Sequence, residues 1–254
     1  MKRIYSYLST KPVYLLIGII NIIIFHYSII RLFIFLYQTP QVIGKADFLG
    51  ALFVDTLLLL FFCIPHSLLL HAKAKQLFYQ YIPKSLYPTI YSLHASIGII
   101  LMEKYWMSFG MDFYSLSGSA KLVMNGCYIF AWIFMFWSMW TTGLFSQNGI
   151  KEWWLGLRGK NLKGTLLTHG AYGLCRHPIY ASFMAMIWFT PNMTYDHLFL
   201  SIAWTAYILI GAAFKERRLS RNKLYQKYSH EVPAFPFIPL SWDAFFTRKI
   251  WRQV

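Results

Sequence analysis

The chain has 254 residues, of which 57% are hydrophobic and 13% are charged, and its mean hydropathy is +0.43. These values lie outside the usual range of soluble globular proteins and predict a membrane domain. The net charge of +15 is spread over the loops between hydrophobic segments, which favours attraction to anionic lipid headgroups and argues against a nucleic-acid-binding module.

Six hydrophobic segments follow one another along the chain: Val13–Tyr37, Phe48–Leu70, Tyr87–Trp106, Leu122–Phe145, Pro178–Phe189 and His197–Phe214. A spanning helix needs roughly 20 apolar residues, so the fifth segment is too short to cross alone. The stretch TPNMTYD predicts a turn that joins the fifth segment to the sixth, either as two crossings or as a re-entrant hairpin. We predict an all-α fold, a polytopic transmembrane helical bundle of five to six hydrophobic segments with a C-terminal helical hairpin and a basic cytoplasmic tail.

Lysine and arginine placement predicts the orientation, because cytoplasmic loops carry an excess of these residues. If both termini are cytoplasmic, the opposite side of the membrane receives only Lys45, Lys104 and Lys121. The cytoplasmic set ahead of the tail is Lys2, Arg3, Lys11, Lys73, Lys75, Lys84, Lys151, Arg158, Lys160, Lys163 and Arg176. We therefore expect a multi-pass protein of a bacterial inner membrane with both termini in the cytoplasm.

A first polar cluster stands directly before the fifth segment, where Arg176 and His177 lead into Pro178. Proline suits the first turn of a helix, since its missing N–H would have no helical partner there. The backbone N–H groups that follow favour anionic groups of a ligand. The competing interpretation takes Arg176 as a membrane anchor and His177 as an ordinary interfacial residue.

A second polar cluster follows the sixth segment, where Glu216 is surrounded by Lys215, Arg217 and Arg218. An ion pair is the simplest role for a carboxylate in such surroundings. A helical hairpin, however, returns the chain to the level at which it started. We therefore expect Glu216 to meet His177 and to line one pocket with it.

Asp55 and His66 are two ionisable residues within the second segment. They are 11 positions apart, and at about 100° per residue this places them on one helix face. Ionisable groups inside a membrane are costly, so both are candidates for the wall of a substrate pocket. An ion pair between Asp55 and Arg31 is the structural alternative. The three scattered cysteines indicate neither a disulfide framework nor a metal site.

Several motifs together resemble the C-terminal signature of the isoprenylcysteine carboxyl methyltransferase superfamily. They are THGAYGLCRHPIYASF, WFTPNMTYDHLF, TAYILIGAAFKERRL, and YQKY followed by EVP. The motifs IKEWWLGLRGK and PHSLLLHAKAKQ make the chain more similar to the branch that contains the methanethiol S-methyltransferases and NnrU-like proteins. The resemblance covers roughly residues 65–233.

The resemblance implies a site for S-adenosylmethionine, with catalytic roles for Arg176, His177 and Glu216. The residues that it implies for cofactor binding are Tyr172, Arg176, His177, Pro178, Tyr180, Glu216, Arg217, Tyr225 and Tyr228. Arg176 or Arg217 would hold the carboxylate of the donor, Glu216 its ribose or ammonium, and Tyr180 or Tyr207 its sulfonium. A nearby cation, Arg176 or His177, would favour the thiolate form of an acceptor thiol.

Two positions depart from the family pattern. The family commonly has two adjacent acidic residues where this chain has Lys215 and Glu216, so a single carboxylate must serve. Asn222 stands where the family has a glycine ahead of the paired tyrosines. The first departure raises the question of a weakened or altered activity.

The implied activity is S-adenosylmethionine-dependent methylation of a small thiol, methanethiol, to dimethyl sulfide. The alternatives are an isoprenylcysteine carboxyl or other lipid-like acceptor, and a non-enzymatic NnrU-like membrane protein. Within one membrane domain over residues 1–254, we distinguish an N-terminal four-helix part (1–146), a cofactor-binding hairpin and tail (147–233) and a C-terminal tail (234–254). Membrane lipids are the other expected partners.

Overall fold

The computed structural model describes residues 10–37, 47–108, 111–160 and 166–236. Predictions that concern Lys2, Arg3, Lys45, Lys163 and the tail from 237 onward lie outside the described residues. The contacts divide the chain into two compact units. One comprises the described residues within 1–111 and 145–163, and the other those within 112–144 and 164–254. The single membrane domain with boundaries at 146 and 233 stays a prediction.

The helices of the first unit are α1 (Lys11–Tyr37), α2 (Phe48–Leu70), α3 (Ala72–Phe78), α4 (Tyr87–Tyr105) and, later in the chain, α6 (Ile150–Leu157). Helix α1 packs against α4 and α6, and α2 packs against α4. Gly18 permits the contact with α6, because a Cβ atom there would lie 1.9 Å from the ring of Trp153. The Trp153 indole N–H donates to the carbonyl of Tyr14 at 2.8 Å.

The second unit contains the helices α5 (Gly118–Thr142), α7 (Ala171–Leu174), α8 (Pro178–Trp188), α9 (Tyr195–Leu219) and α10 (Lys223–Glu231), with the strands β1 (Asp112–Ser115) and β2 (Asn192–Thr194). The strands pair antiparallel, with Asp112 opposite Thr194 and Ser115 opposite Asn192. The turn predicted between the last two hydrophobic segments is therefore present. It carries a short β-ribbon that we did not predict.

Within the described part of the chain, α1, α2, α5 and α9 are long and apolar enough to cross a membrane. Helix α8 has 11 residues and is only about 16 Å long at 1.5 Å per residue, so it does not cross alone. Helix α4 has 19 residues but is less apolar, since it carries Ser92, Ser96, Glu103 and Lys104. These helices confirm an all-α, polytopic membrane bundle with a C-terminal hairpin.

The two ionisable residues of α2 have partners inside the first unit. Arg31 forms its ion pair with Glu103, so the alternative pairing of Arg31 with Asp55 is wrong. Asp55 is fully buried and accepts a hydrogen bond at 2.8 Å from the backbone N–H of Met107, just beyond α4. His66 Nε2 lies 2.5 Å from the hydroxyl of Tyr91. Assignment of Asp55 and His66 to a substrate pocket stays a prediction.

Candidate active site

The backbone of the second unit places Arg176 and His177 beside the chain that follows α10. The N–H of Arg176 donates to the carbonyl of Pro233 at 2.8 Å, and the N–H of His177 donates to the carbonyl of Ala234 at 3.1 Å. Pro178 occupies the first turn of α8, as its fixed φ angle favours. The segment before α8 is therefore held in place by the residues after α10.

Glu216, in the last turns of α9, is the carboxylate on which these segments converge. It accepts from Arg176 through two parallel bonds of 3.0 Å, one to each carboxylate oxygen. His177 Nε2 lies 2.7 Å from Oε1, and the hydroxyl of Tyr225 donates to the same oxygen at 2.5 Å. The expected meeting of His177 and Glu216 is confirmed.

The Arg176 guanidinium is almost fully used by this arrangement. Besides Glu216, it donates to the carbonyls of Ser229 at 3.0 Å and Val232 at 2.5 Å, so four of its five N–H groups are engaged. Burial alone would lower the pKa of Arg176, but the Glu216 carboxylate outweighs burial and raises it. A second bidentate contact, to a ligand carboxylate, would require Arg176 to release Glu216.

His177 is buried between aromatic rings, with 2% of its surface exposed. Its ring stacks on Tyr180 at 5.4 Å between centroids and contacts Phe235 at 5.5 Å. Burial, together with the Lys215 ammonium, lowers the pKa of His177 from 6.5 to about 4, although Glu216 acts in the opposite direction. A neutral imidazole that donates Nε2–H to Glu216 leaves Nδ1 as an acceptor. Nδ1 is buried and has no hydrogen-bond partner among the described residues.

The paired tyrosines of α10 attach this helix to the site. Tyr225 donates to Glu216, and the hydroxyl of Tyr228 donates to the backbone carbonyl of Tyr172 at 2.5 Å. Burial raises the pKa of both hydroxyls, and the bond to Glu216 raises that of Tyr225 further. Asn222, which replaces the family glycine, caps α10 by accepting from the N–H of Leu224 at 2.9 Å. This substitution therefore supplies a helix cap.

Lys215 and Arg217, the neighbours of Glu216, lie in different surroundings. Lys215 is partly buried, and its Nζ lies 5.3 Å from the centroid of the Tyr180 ring. Arg217 is exposed, and its guanidinium forms no hydrogen bond or ion pair within the described part of the chain. Arg217 thus remains available for an anionic group.

The structure brings most of the predicted site residues together in the second unit. They are Tyr172, Arg176, His177, Pro178, Tyr180, Glu216, Tyr225 and Tyr228. Two features of the site were not predicted from the sequence: Phe235, whose ring contacts His177, and the carbonyls of Ser229 and Val232 that accept from Arg176. Phe235 lies between two prolines and shows no periodic pattern. Only its contact with His177 reveals a role.

Comparison with known proteins gives a consistent set of relatives. The chain is 30% identical over 203 residues to Methanethiol S-methyltransferase 2 of Bradyrhizobium diazoefficiens, covering 78% of each chain. It is 28% identical to the Methanethiol S-methyltransferase of Pseudomonas deceptionensis, over 72% of this chain and 71% of the relative. The protein of that name from Mycobacterium tuberculosis is also 28% identical, over 72% of this chain and 76% of the relative.

No protein-family profile matches the chain, and no solved structure matches it.

Proposed function

Because the chain belongs to the methanethiol S-methyltransferase family, we propose that it methylates the sulfur of methanethiol and releases dimethyl sulfide. The observation that carries this proposal is the convergence of three segments on Glu216. One segment precedes α8, one is the end of α9, and one is α10. The motifs on which the family resemblance rests supply these contacts.

We propose S-adenosylmethionine as the methyl donor, and the residues present fit its chemistry. Oε2 of Glu216 accepts only from Arg176 among the described contacts, which leaves a lone pair for a ribose hydroxyl or an ammonium. The orphaned Nδ1 of His177 is a second buried acceptor. Arg217 offers a cation for a carboxylate. The Tyr180 ring, which the resemblance implied for the sulfonium, already stacks on His177 and lies beneath the Lys215 ammonium, so it does not present a free π face to a second cation. When bound, the donor supplies an activated methyl group.

In such a reaction the protein contributes mainly by aligning the methyl donor with the acceptor thiol. Methyl transfer between two sulfur atoms is an in-line displacement, and correct placement of the reactants contributes on the order of 7–11 kcal/mol. Arg176 fixes Glu216 through two parallel bonds, and Glu216 in turn fixes the rings of His177 and Tyr225. A donor held by these groups would be rigidly positioned.

The test uses the full chain, purified in detergent, with labelled S-adenosylmethionine and methanethiol, and with dimethyl sulfide measured in the headspace. We expect Glu216→Gln to lower kcat/KM by on the order of 10- to 100-fold, because the amide is uncharged and has only one acceptor oxygen, so Arg176 loses its bidentate partner. The matched control is Glu231→Gln, an exposed glutamate at the end of α10, which should leave activity unchanged.

Three outcomes contradict parts of this proposal. Unchanged activity of the Glu216→Gln variant removes the proposed site. Methylation of prenylcysteines or other lipid-like acceptors, but not of small thiols, replaces the acceptor with the superfamily alternative. Failure of the wild-type protein to bind the donor favours the non-enzymatic, NnrU-like alternative.

We further propose that this integral membrane protein lies in a bacterial inner membrane with both termini in the cytoplasm. The positions of lysine and arginine support this orientation, and anionic headgroups are the natural partners of the +15 charge. A C-terminal green fluorescent protein fusion should fluoresce and an alkaline phosphatase fusion should be inactive. The reverse result would place the C-terminus outside.

A further inference from the structure

Two basic side chains beside Glu216, those of Arg176 and His177, already form hydrogen bonds within the protein. Arg176 donates to Glu216 and to the carbonyls of Ser229 and Val232. His177 is neutral at pH 7, because its pKa is about 4, and it contacts Glu216. Neither residue offers an uncommitted positive charge to a substrate.

Lys215 is different, because its ammonium has no hydrogen-bond acceptor among the described residues and lies over the Tyr180 ring. Lys215 follows Ile208 and Ala212 at helical spacing, on the face of α9 that packs against α8. Its stem is therefore directed toward the apolar cluster beneath the site. The Lys215 ammonium is therefore partly shielded from water.

Among the described residues, the charged and titratable groups around Lys215 do not form a hydrogen bond or an ion pair with its ammonium. On α9 these are Glu216 and Arg218, and across from α9 they are His177 and Tyr180. Glu216 accepts its hydrogen bonds from Arg176, His177 and Tyr225 instead. A partly buried cation without a paired anion favours binding of a negatively charged ligand atom.

We infer that Lys215 binds the sulfur of the acceptor as its thiolate, and this inference rests on the proposed function. The sequence assigned that role to Arg176 or His177, whose contacts in the structure are already formed. The thiolate is the reactive form of a thiol, and a lysine beside it lowers the thiol pKa. The lysine that stands where the resemblance implies an acidic residue would thus be a substrate-binding residue.

The step balances with Lys215 protonated throughout. The S–H bond of methanethiol breaks and its proton leaves to water, so that the thiolate is paired with the ammonium. The thiolate lone pair forms the new S–CH₃ bond as the bond between the methyl group and the donor sulfonium breaks, and that bonding pair remains on the donor sulfur. The product thioether is neutral and no longer attracted to Lys215, which favours its release.

The test compares wild type with Lys215→Met, Lys215→Arg and Lys215→Glu. We expect the methionine variant to lose about 10- to 100-fold in kcat/KM for methanethiol at pH 7, since one pKa unit changes the thiolate fraction about tenfold. The loss should shrink as the pH approaches the pKa of the free thiol and should be smaller for thiophenol, a more acidic thiol. Arginine should restore the wild-type pH profile, and glutamate should be worse than methionine.

A second measurement does not depend on turnover. The ultraviolet difference absorbance of methanethiol bound without donor should show thiolate at lower pH with wild type than with Lys215→Met. Lys227→Met removes an exposed lysine of α10 and is the matched control for charge.

Equal pH profiles for Lys215→Met and Lys227→Met, or an active Lys215→Glu variant, would overturn the inference while leaving the proposed function in place. Weaker donor binding by Lys215→Met with an unchanged thiol titration would also overturn it. A wild-type protein that methylates no thiol would remove both the inference and the proposed function.

Discussion

One carboxylate group, that of Glu216, accepts hydrogen bonds from Arg176, His177 and Tyr225. Hydrogen bonds to a charged group contribute about 1.5–3 kcal/mol each, and they strengthen one another where water is partly excluded. The Glu216 side chain is 26% exposed, so one side of the network is open to a ligand while the other is buried. A single carboxylate thus holds three side chains of the site in place.

His177 gives the site a pH dependence with a definite sign. Its pKa is about 4 in the folded protein and 6.5 as its ordinary value. Between these values the unfolded chain binds a proton that the folded chain does not. We therefore expect the free energy of unfolding to fall as the pH decreases from about 6.5 to about 4, by at most about 3 kcal/mol from this group. Denaturant unfolding in detergent over this pH range measures this change in the free energy of unfolding.

The matched variants for this prediction are His177→Gln and His230→Gln. Removal of His177 should flatten the slope of stability against pH, whatever it does to stability at pH 7. His230 is exposed on α10, and its replacement should keep the wild-type slope. Identical slopes for the two variants would show that folding does not lower the pKa of His177.

At the scale of elements, the hairpin of α8 and α9 carries His177 and Glu216 to the same level. Helix α9 begins with a capping bond, in which the Thr194 side chain accepts from the N–H of His197 at 3.3 Å. Helix α5 is the same length, 25 residues, and its N-cap Ser117 makes no such bond. The two positions therefore form a natural pair for testing the cap.

We expect Thr194→Ala to lower the free energy of unfolding by about 1 kcal/mol, because an N–H at the start of α9 loses its acceptor. Ser117→Ala should change it by less than about 0.5 kcal/mol. Thermal unfolding of both variants in detergent gives the comparison, and equal losses would mean that the Thr194 cap does not hold the hairpin turn.

The β-ribbon shows which element the sequence pattern could not predict. Strands β1 and β2 have 4 and 3 residues, too few to show an alternating pattern. Their pairing joins segments about 80 positions apart, and tertiary contact alone decides it. By contrast, local sequence predicted the helices. Pro178 indicated the start of α8, because proline fixes φ in the first turn. The long apolar runs indicated the spanning helices, because these need continuous apolar sequence.

At the scale of the whole molecule, the lipid bilayer is the solvent for much of the surface. Phe130, at the middle of the candidate span α5, is 65% exposed, and Phe113, on strand β1 outside any candidate span, is 52% exposed. In water, exposure of the two phenylalanine rings would cost a similar free energy. In a membrane only Phe130 belongs among hydrocarbon chains.

We therefore expect Phe130→Lys to oppose insertion of α5 by about 2.5–3.5 kcal/mol, the cost of a charge at the centre of a spanning helix. The same substitution at Phe113 should have little effect. The fraction of protein that resists alkaline carbonate extraction from membranes measures insertion. Equal fractions for the two variants would show that α5 does not lie in lipid.

The sequence by itself determined the membrane class, the helical fold and the two polar clusters, because hydropathy, proline and charge act locally along the chain. Only the tertiary structure decided that Arg176 binds Glu216 and two carbonyls, that Arg31 pairs with Glu103, and that Lys215 lies over the Tyr180 ring. Which opposite charges meet depends on distances across the fold, and several cations compete for each carboxylate in a chain with 24 lysines and arginines and 9 acidic residues.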